Sequence, residues 1–245
     1  MAKPNSIELL DCEPIPILYE DRPVIAIDKP RGWMLLPVSW QNTSRNLQAA
    51  INSSITARDF WARSRGIKFL RYVHRLDADT SGILLFARSP DAVETFSDLF
   101  ESRRMEKTYL LVVDGKPREV EWTCLLKLAP DPQRAGRMKV NAREGKEAET
   151  HFHVLQKKEK LTLVEGRPFT GRTHQIRVHL AESGCSVVGD ELYGREYVKM
   201  GQSNSSRRKE AHFKIGNRES KIRWSLVTST LRSTATEDGS AATKL

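Results

Sequence analysis

The chain has 245 residues, 39% hydrophobic and 29% charged, which is the balance of a globular protein with room for one large domain or two small ones. Forty Lys and Arg against 31 Asp and Glu leave a net charge of +9 and a pI near 9.6. That balance points to a polyanionic partner, nucleic acid before membrane surface, or to a protein that is merely basic. The apolar runs 83–87 and 110–113 are far too short to span a bilayer, residues 1–14 show no secretory h-region, so no leader is expected, and three scattered cysteines suit neither a disulfide framework nor a metal site. A cytoplasmic protein without a metal is the expectation.

Residues 24–27 (VIAI) read as a short strand that stops at DKPRGW, residues 28–33, where Pro30 and Gly32 set a turn. Residues 45–65 read as a helix with a basic flank. Two strands follow, 70–73 and 83–87, with HRLDADTSG (74–82) between them. Ionisable residues between buried strands are costly unless they are paired or at work. Asp79, ahead of Thr80, Ser81 and Gly82, sits where a turn favours a locally bonding acid; Asp77 is less easily explained that way.

Ser89-Pro90-Asp91 starts a helix with an N-cap, a proline at the first position and an acid in the first turn. Val93, Phe96, Leu99 and Phe100 form its apolar stripe, and Arg103 and Arg104 close it. Strands then dominate: 107–113 (KTYLLVV), 121–128, 148–155 and 160–169. Residues 130–147 read as an exposed, basic hairpin, either a solvated loop or a phosphate-contacting arm. A helix capped by Thr173 carries Ile176 and Leu180 and stops at Gly184, and the loop GDELYG (189–194) follows. Residues 200–210 are polar and basic, 221–227 (KIRWSLV) are strand-like, and the end of the chain is expected to be disordered. With no βαβ alternation, the class is α+β, with a mixed, mostly antiparallel sheet and flanking helices.

Four segments occur together and in order: HRLDxxTSG at 74–82, KTYL at 107–110, GRTHQIRVHL at 171–180 and GDELYG at 189–194. With DKPRG at 28–32 and GKEAETHFHVL at 145–155, the sequence resembles the RluA branch of the pseudouridine synthases, over roughly residues 16–194. These enzymes isomerise uridine in RNA to its C-glycoside. The resemblance implies the pseudouridine synthase fold with a central RNA-binding cleft, in a catalytic domain of 16–228 preceded by a 1–15 extension and followed by a 229–245 tail. No further RNA-binding module is expected ahead of it, and a monomer acting on tRNA or rRNA stem-loops is the matching expectation.

By position, the resemblance assigns the catalytic carboxylate to Asp77, the tyrosine against the target base to Tyr109, and the arginine that pairs with the carboxylate to Arg177. Arg75 falls at the RNA contact that holds the flipped nucleotide. Lys29, Arg172, Arg137, Lys139 and Arg143 are further RNA-contact candidates. No cofactor is implied, since isomerisation is redox-neutral and the sequence has neither GxGxxG nor a Walker loop. Read without the resemblance, Tyr109 is an ordinary core tyrosine and His174 a polar support. Two other functions compete: an RNA-binding or RNA-folding protein on the same fold, and a glycosidase-like hydrolase that would need Asp190 as a second carboxylate.

Overall fold

A computed structural model of the chain describes residues 2–10, 12–35, 45–194, 211–215, 218–222 and 228–233. They group into two compact units, Met1–Glu106 with Ser229–Leu245, and Lys107–Thr228. The residues expected to form a single domain, 16–228, are shared between these two units, and the first strand of the first unit lies within the expected extension 1–15.

In the first unit β1 (Ser6–Ile7), β2 (Ile15–Glu20), β3 (Val24–Lys29) and β5 (Ser81–Ala87) lie side by side in antiparallel order, and β4 (Arg71–Tyr72) pairs with the far end of β5. Val24, Ala26 and Leu85 face a common core with Met105, which α3 (Pro90–Glu101) covers with Phe96, Leu99 and Phe100. The signals for α3 act as the sequence suggests: Ser89 caps it by accepting from the Ala92 N–H at 3.2 Å.

The helix expected over 45–65 is two helices, α1 (Leu47–Thr56) and α2 (Phe60–Arg63). Arg58 turns left-handed at φ 59°, which breaks the backbone ladder. The break has a packing reason. It brings Trp61, fully buried, back against α1, where its Nε1 donates to Ser54 Oγ at 2.7 Å and Ser54 donates to the Asp59 carboxylate.

The second unit is an antiparallel sheet ordered β6 (Met105–Asp114), β11 (Leu161–Pro168), β10 (Thr150–Lys158), β7 (Glu121–Cys124), with α4 (Gln175–Glu182) against its core. Strand alternation puts Leu111, Val113, Phe152, Val154 and Val164 on the buried face beside Leu180 of α4. The basic stretch 130–147 contains the hairpin of β8 (Leu128–Pro130) and β9 (Met138–Val140), as its composition suggests. The expected strand 121–128 is interrupted at Leu125, which is exposed.

Strands β12 (Ala211–Ile215) and β13 (Arg218–Ile222) form a hairpin, and β14 (Thr228–Ser233) reaches into the segment expected as tail. The basic stretch 200–210, most of the strand-like 221–227 and the remainder of the tail lie outside the described residues. Among those described, no helix is long and apolar enough to cross a membrane. Phe152, fully buried and stacked on Trp122 at 4.9 Å, is the largest apolar side chain in the second unit's core. Phe152→Ala is expected to cost about 3–5 kcal/mol, read as a lowered urea midpoint.

Candidate active site

The stretch 74–82 is held on both sides before Asp77 is reached. His74 is buried against Phe100 (4.9 Å) and accepts from the Leu85 N–H through Nε2 at 3.2 Å, tying the start of the stretch to β5. Leu76 and Thr80 are buried, while Asp77, Ala78 and Asp79 between them are partly exposed. A tight turn closes through Thr80 N–H donating to Asp77 O at 3.0 Å, so Asp77 stands at the first corner of that turn.

Beneath it lies Lys29, which has no exposed surface. Its Nζ donates to four carbonyls: Thr80 at 2.8 Å, Ala78 at 3.1 Å, and Asp77 and Pro30 at 3.2 Å. Burial pushes the ammonium down to about 8, against the pull of the Asp77 and Asp79 charges. Lys29 was grouped with the RNA contacts on sequence; the structure turns its charge inward, onto the loop that carries Asp77. The DKPRG turn completes the join. Gly32, at φ +86°, donates its N–H to Ala78 O at 2.8 Å, and Arg31 pairs with Asp79 at 3.2 Å. Asp79 therefore links two turns 48 residues apart in sequence, beyond the purely local role its neighbours suggest.

Arg177 of α4 is held in the second unit by an equally buried group. Its Nε and Nη2 donate to the two Asp190 oxygens at 2.7 and 2.8 Å, a bidentate pair with both side chains at or below 9% exposure. Burial alone would raise the Asp190 pKa; the Arg177 guanidinium, with the N–H groups of Tyr193 and Leu192, outweighs it and holds the carboxyl below its ordinary range. Asp190 is thus committed to Arg177, which removes the second carboxylate a hydrolase would need. Gly194 donates to Asp190 O at 2.9 Å, and a Cβ there would lie 2.2 Å from that same oxygen, so the motif ends on glycine for want of space.

Tyr193 joins the cluster. Its ring lies 5.1 Å from the Arg177 guanidinium and 5.5 Å from that of Arg137. Its hydroxyl accepts from Met138 N–H at 2.8 Å and bonds His174 Nδ1 at 2.9 Å. This is a correction for α4: His174, not Thr173, occupies the N-cap, left-handed at φ 53° and without a side-chain cap bond. Gln175 fastens the helix start instead, accepting from Arg172 N–H and Thr170 Oγ1 and donating to Glu149 O and Thr150 Oγ1.

The remaining candidates divide by exposure. Tyr109 lies opposite Gly166 in β6 and packs on the core of Leu111 and Val113, the shared face expected of that strand. Arg75, Lys139 and Arg143 are exposed, Arg172 is exposed and bonds Glu147 O at 2.9 Å, and Arg137 is drawn in towards Tyr193. Tyr193 and the inward Lys29 are the residues sequence reasoning undervalued. The signal for Lys29 is its place at the end of the strand VIAIDK, where alternation continues the buried face. Among the described residues no cluster of three or more His, Cys, Asp or Glu is placed to hold a metal ion.

The sequence pattern of the RNA pseudouridylate synthase family matches residues 23–182, which include Lys29, Asp77, Tyr109 and Arg177. An uncharacterized RNA pseudouridine synthase of Bacillus subtilis, YlyB, is 34% identical over 196 residues, covering 79% of this chain and 63% of its own. The chain therefore spans about three-fifths of that relative. The dual-specificity RNA pseudouridine synthase RluA of Vibrio cholerae is 33% identical over 180 residues, covering 73% of this chain and 68% of its own. Among solved structures, human RNA pseudouridylate synthase domain containing 1 shares the fold at a TM-score of 0.64 and 23% identity, over 94% of this chain and 82% of its own.

Two outcomes follow from the buried charges. Lys29→Met should lower the unfolding free energy by about 2–3 kcal/mol, read as a lowered urea midpoint, and speed amide exchange at Gly32 and Thr80, whose N–H groups close the joined turns. Because the folded value near 8 lies below the ordinary lysine value, global stability gains from Lys29 as pH rises from about 8 towards 10. The turn itself loses a donor over that window, so protection at those two amides should fall while the urea midpoint does not. Asp190→Asn should cost about 3–5 kcal/mol by stranding the Arg177 charge. With its folded pKa depressed, the wild-type carboxylate stabilises above its unfolded value near ~3.9 and loses that contribution as pH falls through the folded one. Acid unfolding of the asparagine variant should lack that component.

Proposed function

The chain belongs to the RNA pseudouridylate synthase family, and we propose that it isomerises uridine in structured RNA to pseudouridine, with Asp77 as the reacting carboxylate. The observation that supports this most is the setting of Asp77: a partly exposed aspartate at the corner of a turn whose backbone is anchored from below by a buried ammonium. A structural aspartate needs no such mount. Catalysis does, because a reacting group displaced by an ångström loses much of its rate.

The reaction breaks the bond from C1′ of the ribose to N1 of uracil, turns the base, and joins C1′ to C5. The hydrogen on C5 leaves and N1 ends protonated, so nothing is gained or lost overall. A carboxylate can open this sequence as a nucleophile or by taking a proton from the sugar, and both require it ionised. Arg177 is proposed as the cation that favours that state, and its own bidentate hold by Asp190 supports the assignment, since a pre-oriented guanidinium costs little to present. Tyr109 is proposed to lie against the turned base. Arg75, Arg172, Lys139 and Arg143, exposed as they are, suit phosphate contacts.

A uridine inside a stem must first be swung out, at a cost of a few kcal/mol that such contacts offset. tRNA and rRNA stem-loops are the proposed substrates, and a cytoplasmic monomer the proposed form.

The test is to incubate the chain with transcribed tRNA and rRNA fragments and to map pseudouridine by carbodiimide modification and primer extension. Wild type should give a discrete stop. Asp77→Ala should give none, with RNA affinity changed less than about threefold, as expected when the loss lies in the transition state rather than in binding. Product from Asp77→Ala, or none from wild type on any cellular RNA, would overturn the assignment.

A further inference from the structure

A strongly positive stretch precedes the turn that carries Asp77, and of its cations only Arg75 has been given a role above. Residues 45–75 hold seven Lys and Arg against the single acid Asp59, a net +6 of the chain's +9 in 31 residues. Arg65 is spent internally, on Glu20 and the carbonyls of Pro4 and Trp61. The other six, Arg45, Arg58, Arg63, Lys68, Arg71 and Arg75, are all exposed. A solvated face usually interleaves acids with its bases; this one does not.

Lys68 and Arg71 stand on the wall of a groove of about 520 Å³ within the first unit, between α1 and residues 68–72. Half-buried Phe69 and Tyr72 bring aromatic rings to it, and Gln48 and Asn52 of α1 line the opposite side. Gln48 makes the arrangement rigid. Its Nε2 donates to Leu70 O and to Asn52 Oδ1, both at 2.9 Å, and its Oε1 accepts from Tyr72 N–H at 3.2 Å. The amide nitrogen of Asn52 is left as a donor on the groove wall. Two aromatic residues, amide donors and two cations in a concavity of this size match the needs of one base and its neighbouring phosphates.

Position along the chain adds a second argument. Tyr72 precedes Asp77 by five residues, which bounds their separation at about 18 Å. A single RNA strand can therefore occupy the groove and reach the turn that carries the carboxylate.

We infer that this groove is a second RNA contact, taking an unpaired nucleotide that flanks the target uridine. Phe69 and Tyr72 stack its base, and Lys68 and Arg71 bind the adjoining phosphates. The identity of the target rests on the isomerase reading above; the affinity of the groove for RNA does not, and can be measured without turnover.

The experiment uses the full chain, a ten-nucleotide single-stranded uridylate bearing one 5-iodouracil, and a duplex of equal length. The double variant Lys68→Ala with Arg71→Ala removes exposed side chains only, so folding is retained. It should weaken the single strand about tenfold at 0.1 M salt and reduce the slope of log K against log salt by about 1.4, the share of two phosphates. Phe69→Leu keeps the apolar bulk but loses the ring, and should weaken binding about tenfold with the salt slope unchanged. The photocrosslink should map to Phe69 or Tyr72. An unchanged salt slope with no crosslink in 68–72 overturns the inference. So does an equal loss on the duplex, which marks a merely cationic surface, or a variant-sensitive affinity for anionic vesicles in place of RNA. Wild-type isomerisation with an unaltered KM in the double variant discards the groove and leaves the isomerase standing. A mapped crosslink with no turnover on any cellular RNA does the reverse.

Discussion

The candidate catalytic turn depends on one buried charge. An ammonium with no exposed surface is costly to bury, and the chain meets that cost by pointing four carbonyl oxygens at Lys29 and placing Asp77 and Asp79 nearby. Three of those carbonyls belong to residues 77–80, so satisfying the charge and shaping the turn are the same act. The DKPRG and HRLDAD segments are close in space for this reason. Gly32 and Arg31 add bonds that the lysine makes possible by fixing the two backbones against each other.

The second unit applies the same physics with the signs exchanged. There a buried carboxylate, Asp190, is satisfied by a guanidinium and by two N–H groups of its own loop, and the loop is shaped in doing so. Tyr193, whose N–H bonds Asp190, reaches through its hydroxyl to His174 at the start of α4 and to the main chain at Met138. Arg177 is thereby fixed from its helix, from the GDELYG loop and from the hairpin side at once. Each unit places one proposed functional group on a backbone stiffened by a fully compensated internal charge.

Much of the element order was legible from local signals. Ser89-Pro90-Asp91 starts α3, alternation marks β6, β10 and β11, and the turn-rich basic stretch 130–147 does contain a hairpin. The misreadings have a common cause. The 45–65 helix breaks where Trp61 must fold back onto Ser54, and α4 is fastened by Gln175 and a left-handed His174 where Thr173 looked the better cap. In both places a tertiary contact outweighs a local preference worth only about 1 kcal/mol.

The sequence alone determined the family, through motifs whose order and spacing are written in the chain, and with it the choice of Asp77 over Asp79 as the proposed reacting carboxylate. It also determined the net charge, because charge is additive and needs no fold, while the RNA partner came from the family motifs and not from the charge. Which groups compensate the inward-facing charges was decided by the tertiary structure alone. Lys29 reads as a candidate phosphate ligand until its four carbonyls are seen, and Asp190 reads as part of a structure-ordering loop whose partner, Arg177, only the fold supplies. Hydrogen-bond partners are residues far apart in sequence brought together, 48 positions for Lys29 and Asp77, and no local pattern encodes them.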